Sequence, residues 1–427
     1  MLKVKFIDLF AGLGGMRLGF SQALEALGLE GECVFSSEIK PYAVQTYSHN
    51  FGEKVAGDIT KIDESNIPDF DFLLAGFPCQ AFSNAGRRLG FSDVRGTLFF
   101  DVVRILNAKK PKGFLLENVE GLVTLDNGRT FGIIIEKLNE LGYSTHHAVL
   151  DGKDFGLAQT RKRIYICGTK KETIIDLENF PTTHAVFGDV IDNNAPPIES
   201  EFTKKLFSWF SLKDIIGKQI KDKRGGNGNI HSWDFALKGE ITTEQKTLLG
   251  MLLRHRRNKK WAEIYKIDWM DGMPLTFEMV KTFCQSPNLR QMLDDLVDKN
   301  YLVLEHPKMK VGNKREYATH LEKGYNIVVG KLSFEFNRIL DPKKIAPTLV
   351  ATDVSRLAVP VRDGIRSLTI REGLRLFGFP ETYCIENASK KDAFDMLGNT
   401  VCIPVAKNVS TKLLGATLAV LTLPNNG

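Results

Sequence analysis

Four stretches of the chain bring together side chains that could do covalent and proton-transfer chemistry. In Gly76-Phe77-Pro78-Cys79-Gln80-Ala81-Phe82-Ser83 a single cysteine sits in a loop just after a short apolar run. A lone cysteine is usually a small buried hydrophobe. On an exposed loop near a helix N-terminus it can instead have a lowered pKa and react as a thiolate. Glu117, in Glu117-Asn118-Val119, ends the next apolar run. A buried carboxyl there would keep a proton to donate, against the plainer reading of a solvated strand end. Gln159-x-Arg161-x-Arg163 offers two guanidinium groups, and strand alternation would put both on one face. They could hold carbonyl or phosphate oxygens, or form a structural ion pair. Phe10-Ala11-Gly12-Leu13-Gly14-Gly15 is a glycine-rich turn that lets the backbone approach a nucleotide-like ligand. Glu38 is placed to accept from a ribose diol, and Asp58, in Gly57-Asp58-Ile59-Thr60, from an adenine amino group. Taken alone, that turn also suits a nicotinamide dinucleotide or a purely structural bend.

Positioning these groups falls to an alternation of strand and helix patterns. Strands are predicted at Lys3–Phe10, Cys33–Glu38, Phe72–Ala75, Gly113–Glu117, His146–Leu150 and Arg163–Gly168. Helices are predicted at Arg17–Leu27, from Pro41, at Thr97–Asn107 and at Phe131–Leu141. This rhythm predicts an α/β fold with an open, doubly wound, mostly parallel sheet, whose ligands lie beyond the carboxyl ends of its strands. The glycine turn, Glu38, the cysteine loop and Glu117 fall at such ends, whereas Gln159-x-Arg161-x-Arg163 opens a strand.

The rhythm breaks after about Thr183, and the middle of the chain is polar, basic and irregular. The reading is a catalytic domain of residues 1–185 and 385–427 with a smaller, irregular domain of residues 186–384 inserted into it. Within the insert, Phe277–Cys284 and Leu289–Leu296 look like two short helices around Ser286-Pro287-Asn288. Tyr301–Glu305 and Lys314–Tyr317 then read as a basic hairpin around Gly312-Asn313. This order resembles a winged helix, although two short helices and a hairpin occur in many unrelated folds and a packing subdomain is the plainer reading.

The bulk numbers restrict the setting. With 427 residues, a net charge of +6 and a pI near 8.8, the chain is large and mildly basic, which favours a polyanionic partner without demanding one. Positive charge concentrates in Arg254-His255-Arg256-Arg257-Asn258-Lys259-Lys260 and between Lys204 and Arg224, where a solvated helix face is the simplest reading. The six cysteines are scattered without a CxxC pair, so neither a metal cluster nor a disulfide framework is indicated. No signal peptide or membrane span is visible, and a reducing cytoplasm is expected.

These stretches, in this order, resemble the shared blocks of the DNA (cytosine-5)-methyltransferase family of restriction–modification type. FIDLFAGLGG is similar to its S-adenosyl-L-methionine loop, GFPCQAFSNAG to its nucleophile loop, ENVEGL to its glutamate block and QTRKRIYICG to its arginine block. Asp395-Met396-Leu397-Gly398-Asn399-Thr400-Val401 is similar to its closing block, and Arg338–Pro360 to the block framing its recognition domain. The likeness spans roughly the first 170 and last 90 residues. It implies an adenosylmethionine-dependent methyltransferase domain with an inserted target-recognition domain. It also implies that Cys79 attacks C6 of a flipped cytosine, with Glu117, Arg163 and Arg161 as the other catalytic residues. The cofactor would touch Phe10, Ala11, Gly12, Leu13, Gly14, Gly15, Glu38, Ile39, Asp58, Ile59, Pro78, Leu98, Asn399 and Val401. Gln80, Ser83, Arg87, Arg88 and Arg95 would contact DNA from a lid hinged at Gly86, Gly90 and Gly96. Double-stranded DNA, a cognate restriction endonuclease as genetic partner and a monomeric enzyme follow from family habit.

Three other readings compete. A cytosine methyltransferase acting on RNA would share the catalytic blocks, but the long middle region suits sequence reading in duplex DNA. A DNA-binding regulator that has lost catalysis would be expected to have lost one of Cys79, Glu117, Arg163 or Asn399. A nicotinamide-dependent oxidoreductase leaves the Pro-Cys-Gln loop and the closing block unexplained.

Overall fold

The computed structural model describes residues 3–78, 98–226, 228–312, 314–328, 334–351, 354–385 and 388–422, excluding the side chains of 418–422. β1 (Lys3–Leu9) buries Val4, Phe6, Ile7 and Leu9 and leads through a tight turn into α1 (Gly15–Ala26). β2 (Glu30–Ser37) is followed by α2 (Pro41–Phe51), which starts on the proline and stops at Gly52, φ 67°. β3 (Phe72–Gly76), α3 (Leu98–Lys109), β4 (Gly113–Val119), α4 (Arg129–Glu140), β5 (Ser144–Asp151) and β6 (Lys162–Thr169) complete the series.

The six strands form one sheet in the order β2-β1-β3-β4-β6-β5. β1 to β4 run parallel, and β6 runs antiparallel to both its neighbours. β3 and β4 are apolar almost throughout because helices cover both their faces. Leu73, Leu116, Phe99, Val102, Ile134 and Leu138 knit these layers into one core.

The chain divides into two compact units, and the division differs from the expected one. The first unit takes Met1–Asp192, Pro342–Ser355 and Leu368–Gly427; the second takes Asn193–Asp341 and Arg356–Ser367. The catalytic unit thus resumes well before residue 385. The stretch around Ala346-Pro347-Thr348-Leu349 belongs to it because its backbone is bound into the first unit. Ala346 and Ala158 pair through the Ala346 N–H, and Thr160 N–H donates back to the Ala346 carbonyl.

The second unit has two cores. One gathers Phe202, Leu206, Ile220, Phe235, Phe336, Ile339 and Ile365 around α5 (Glu201–Trp209) and a five-stranded sheet. The other is helical and contains Leu249, Leu252, Trp261, Leu275, Val280, Leu293, Leu296, Leu302 and Ile327. In chain order it runs through α6 (Thr243–His255), a short extended stretch at Leu275, α7 (Phe277–Lys281) and α8 (Leu289–Asp298). There follow Leu302–Glu305, a ribbon of Lys308–Val311 with Lys314–Tyr317, and Gly324–Ile327. Leu275 exchanges both backbone hydrogen bonds with Tyr325, at 3.0 and 2.7 Å. Gly324–Ile327 pairs antiparallel with Leu302–Glu305 on its other side. Helices α6, α7 and α8, with the short helix Lys260–Tyr265 between α6 and Leu275, a three-stranded sheet and a protruding ribbon follow one another in an order like that of a winged helix.

The expected hairpin partner was wrong. Leu302–Glu305 pairs with Gly324–Ile327, and the ribbon around Gly312 is made by Lys308–Val311 and Lys314–Tyr317. Burial decides it: Leu302 and Ile327 each face the helical core at 1% exposure, while the ribbon residues have no core face. The basic run is not a uniform solvated face either, since α6 ends at His255 and Arg256 is buried.

Candidate active site

The site is built from the carboxyl ends of β1 to β4. After Leu9 the backbone takes positive φ at Phe10 (55°), Gly12 (52°) and Gly14 (69°), turning back sharply into α1. A Cβ on Gly14 would sit 2.4 Å from the Phe51 ring, so only glycine fits there. The Glu38 carboxylate staples this loop. One oxygen accepts from Gly12 N–H at 2.9 Å, and the other accepts from Ile39 and Lys40 N–H at 2.8 and 2.9 Å. One lone-pair direction is left for an incoming hydroxyl. Beside it Ile39 is 66% exposed, an aliphatic surface next to Glu38. Asp58 is exposed and caps the turn after it, with Oδ1 accepting from Thr60 N–H and Oγ1.

The closing block returns to the same place. A Cβ on Gly15 would meet Thr400 Oγ1 and Val401 Cγ2 at 3.0 Å, and one on Gly19 would meet Ala406 Cβ at 2.6 Å. Val401 is buried there, and Asn399 is exposed with its amide donating to the Asp395 carbonyl. Glycines, an exposed aliphatic side chain and carboxylates with acceptor capacity to spare fit an adenosine-containing cofactor. Ala11 and Leu13 are buried within the loop, Leu98 is half-buried at the start of α3, and Pro78 is exposed. Ile59 is 2% exposed, with its side chain in the core beneath, so its backbone is what it can offer a ligand.

Glu117 stands opposite Gly76 in the parallel β3–β4 ladder, three residues before Cys79 in the chain. It is 7% exposed, and burial pushes its carboxyl up, with Arg163 and then Arg161 opposing. Arg163 Nε lies 3.0 Å from Glu117 Oε1 across the β4–β6 pair, close enough for an ion pair. The alignment is poor, however, and Oε1 has no hydrogen-bond partner. Asn118 holds the neighbouring loop by donating to the Phe77 carbonyl at 2.8 Å. Beside Arg163 a cavity of about 330 Å³ is lined by Val119, Glu120, Gly121, Thr160, Lys162, Arg163 and Thr348.

Arg161 is not in this pocket. β6 begins at Lys162, so strand alternation does not govern Arg161. It is 2% exposed and donates to the carbonyls of Leu349, Gly398 and Thr400 at 3.1, 3.0 and 2.7 Å. Gln159, fully buried, donates to Leu376 O and accepts from Leu349 N–H. The two side chains tie the closing segments to the sheet. Sequence reasoning also missed Asp8, which is 1% exposed beneath the glycine turn and accepts from Tyr47 Oη. A carboxyl within the apolar run of β1 was the available signal. Cys79, Gln80, Ser83, Arg87, Arg88, Arg95 and the glycines of the expected lid lie outside the described residues. No metal-binding cluster occurs among the described residues, and no helix there is long and apolar enough to cross a membrane.

Solved structures share this architecture. The Entamoeba histolytica methyltransferase EhMeth matches with a TM-score of 0.56 at 13% identity, covering 99% of this chain and 100% of that one. A prophage-encoded putative DNA modification methyltransferase from E. coli matches at 0.52 and 21%, covering 97% and 99%. The α/β sheet with its glycine turn therefore has the adenosylmethionine-dependent methyltransferase fold. Within that class the chain belongs to the C-5 cytosine-specific DNA methylase family, whose model matches residues 4–415. It is 54% identical to the type II methyltransferase M.NlaIV of Neisseria lactamica over 97% of this chain and 99% of that one. M.NgoBV of Neisseria gonorrhoeae is 53% identical over the same shares. The protein is a DNA (cytosine-5)-methyltransferase.

Proposed function

We propose that this enzyme methylates C5 of a cytosine flipped out of a short, specific sequence in duplex DNA, through a covalent bond from Cys79 to C6. The observation that carries the reading is Glu117: a buried carboxyl with raised pKa, ion-paired at 3.0 Å with Arg163 through an oxygen that accepts no aligned hydrogen bond, and opposite Gly76 just before the Cys79 loop. The thiolate of Cys79 adds to C6 and pushes electron density toward C5. Protonated Glu117 donates to N3 and accepts from the exocyclic amine, while Arg163 steadies O2. S-adenosyl-L-methionine, when bound, supplies the electrophilic methyl group that C5 takes. Loss of the C5 proton and elimination of Cys79 restore the aromatic ring and the free thiolate. The base must leave the stack because its C6 is out of reach inside a duplex.

Phe10 offers a ring to the adenine, Glu38 a remaining acceptor to the ribose, and Asp58 an acceptor to the adenine amino group. Asn399 and Val401 close that site. Gln80, Ser83, Arg87, Arg88 and Arg95 would grip DNA from the nucleophile loop. Type II relatives matched over nearly their full length support a protective role beside a restriction endonuclease. A cytoplasmic, monomeric enzyme completes the proposal.

Methyl transfer from tritiated adenosylmethionine to unmethylated duplex DNA, with tRNA and Cys79→Ser run in parallel, tests this. Label in duplex DNA with the parent and none with the variant is the expected result. Label in tRNA alone would turn the reading to RNA.

A further inference from the structure

The helical half of the second unit carries a ribbon that contributes nothing to its core. In β-ribbon register Lys308 stands opposite Tyr317 and Lys310 opposite Arg315, while Met309–Glu316 and Val311–Lys314 alternate on the other face. One face is therefore Lys308, Lys310, Arg315 and Tyr317, three cations and one aromatic ring, with the Glu305 carboxylate at its edge accepting from Tyr317 Oη at 3.2 Å. Lys308 Nζ lies 4.6 Å from the Tyr317 ring centroid, which holds that lysine over the ring. Lys310 and Arg315 are both exposed, and neither has an ion-pair partner among the described residues. Like charges directly opposite each other destabilise a ribbon, and this one has no buried face to compensate. A polyanion laid along the face removes the repulsion.

The helix that a winged helix usually presents to DNA is poorly suited to phosphate here. The exposed positions of α8 include Arg290 and Gln291 near its start but Asp294 and Asp298 further on. Cations predominate on the ribbon, whose one acid, Glu316, lies on the opposite face, while α8 combines Arg290 with the exposed Asp294 and Asp298.

We infer that the ribbon Lys308–Tyr317 clamps the phosphate backbone of duplex DNA through Lys308, Lys310 and Arg315. It supplies affinity and register without touching the reacting base. The inference rests on the reading that duplex DNA is the substrate.

The test is the salt dependence of binding by the full-length enzyme to a duplex that the parent methylates. Three proteins are compared: the parent, Lys308→Ala/Lys310→Ala/Arg315→Ala, and the charge-keeping Lys308→Arg/Lys310→Arg/Arg315→Lys. A phosphate contact contributes about 0.9 to the slope of log affinity against log salt, so the alanine variant should be shallower by about two to three. The charge-keeping variant should keep the parental slope. An unchanged slope in the alanine variant overturns the inference while leaving methylation of duplex DNA intact. Weakening that the charge-keeping variant shares equally would make the ribbon structural and overturn it too. A parent that ignores duplex DNA and methylates only tRNA overturns both readings.

Discussion

Arg163 Nε approaches Glu117 Oε1 to 3.0 Å, yet that oxygen accepts no hydrogen bond. An ion pair that is close and misaligned leaves the carboxyl desolvated without fully compensating it, which is why burial outweighs both arginines in its titration. The shift favours the protonated carboxyl, the form that could donate to a base with an acceptor nitrogen. Glu117→Gln keeps the shape and a donor but cannot exchange a proton, so kcat should fall by roughly 10²- to 10⁴-fold. The thermal midpoint should stay at or above that of the parent, because a buried ionisable group has been removed. In the parent, the activity that depends on protonated Glu117 should be lost as pH rises through its raised pKa. Single-turnover methyl transfer across pH measures both effects, and parental kcat in Glu117→Gln would remove Glu117 from the chemistry.

Beneath the glycine turn lies a second buried carboxyl. Asp8 accepts from Tyr47 Oη at 3.2 Å, Arg17 Nη1 donates to the same oxygen at 3.1 Å, and Arg17 forks onto Glu53 at 2.6 and 2.7 Å. Burial pushes Asp8 up to about 7, against the pull of Arg17 and the Tyr47 hydrogen bond. Its folded pKa lies above the unfolded value of 3.8, so its contribution to stability is full below about pH 4 and lost as pH rises through 7. Asp8→Asn should flatten the fall in unfolding free energy over that window, by roughly 1.4 kcal/mol per unit of pKa shift. Urea unfolding at several pH values between 4 and 8 reads the difference. Parallel curves for parent and variant would mean that Asp8 stays ionised in the folded protein.

Much of the catalytic unit was legible because its strands carry two signals at once, an apolar run and a turn residue at its end. Glu117 and Glu38 could be placed from strand ends alone, since a parallel sheet sends all those ends to one edge. The ribbon partner was not legible. Leu302-Val303-Leu304 is an apolar run and Lys308–Val311 an alternating one, but neither pattern names a partner strand, and only the position of Ile327 in three dimensions reveals which strand shares its core. The reading of Arg161 and Arg163 as sharing one strand face failed for a related reason. Two residues of spacing imply one face only inside a strand, and β6 starts one residue later. The domain boundary was obscured because Pro342–Ser355 is an irregular stretch held by backbone hydrogen bonds, which leave no pattern in side chains.

Arg161 provides the sharpest separation between holding the site and acting in it. Its guanidinium donates to three carbonyls that belong to two returning segments, Leu349 on one and Gly398 and Thr400 on the other. It also lies 4.9 Å from the Phe377 ring, and burial lowers its pKa to about 10, still far above neutrality. A planar fork can serve three acceptors at fixed angles, whereas a lysine ammonium on a flexible stem cannot. Arg161→Lys should therefore leave at least one buried carbonyl unsatisfied, at a cost of about 1–3 kcal/mol, and lower the thermal midpoint by several degrees. Because Thr400 and Val401 pack on Gly15, loosening this tie should also weaken cofactor binding. At saturating cofactor and DNA, kcat should remain near the parental value. Calorimetric unfolding, equilibrium cofactor binding and kcat on the same preparation separate the cases. A parental midpoint with a collapsed kcat would return Arg161 to the chemistry, and a lowered midpoint with kcat preserved makes it the strap that holds the closing block in place.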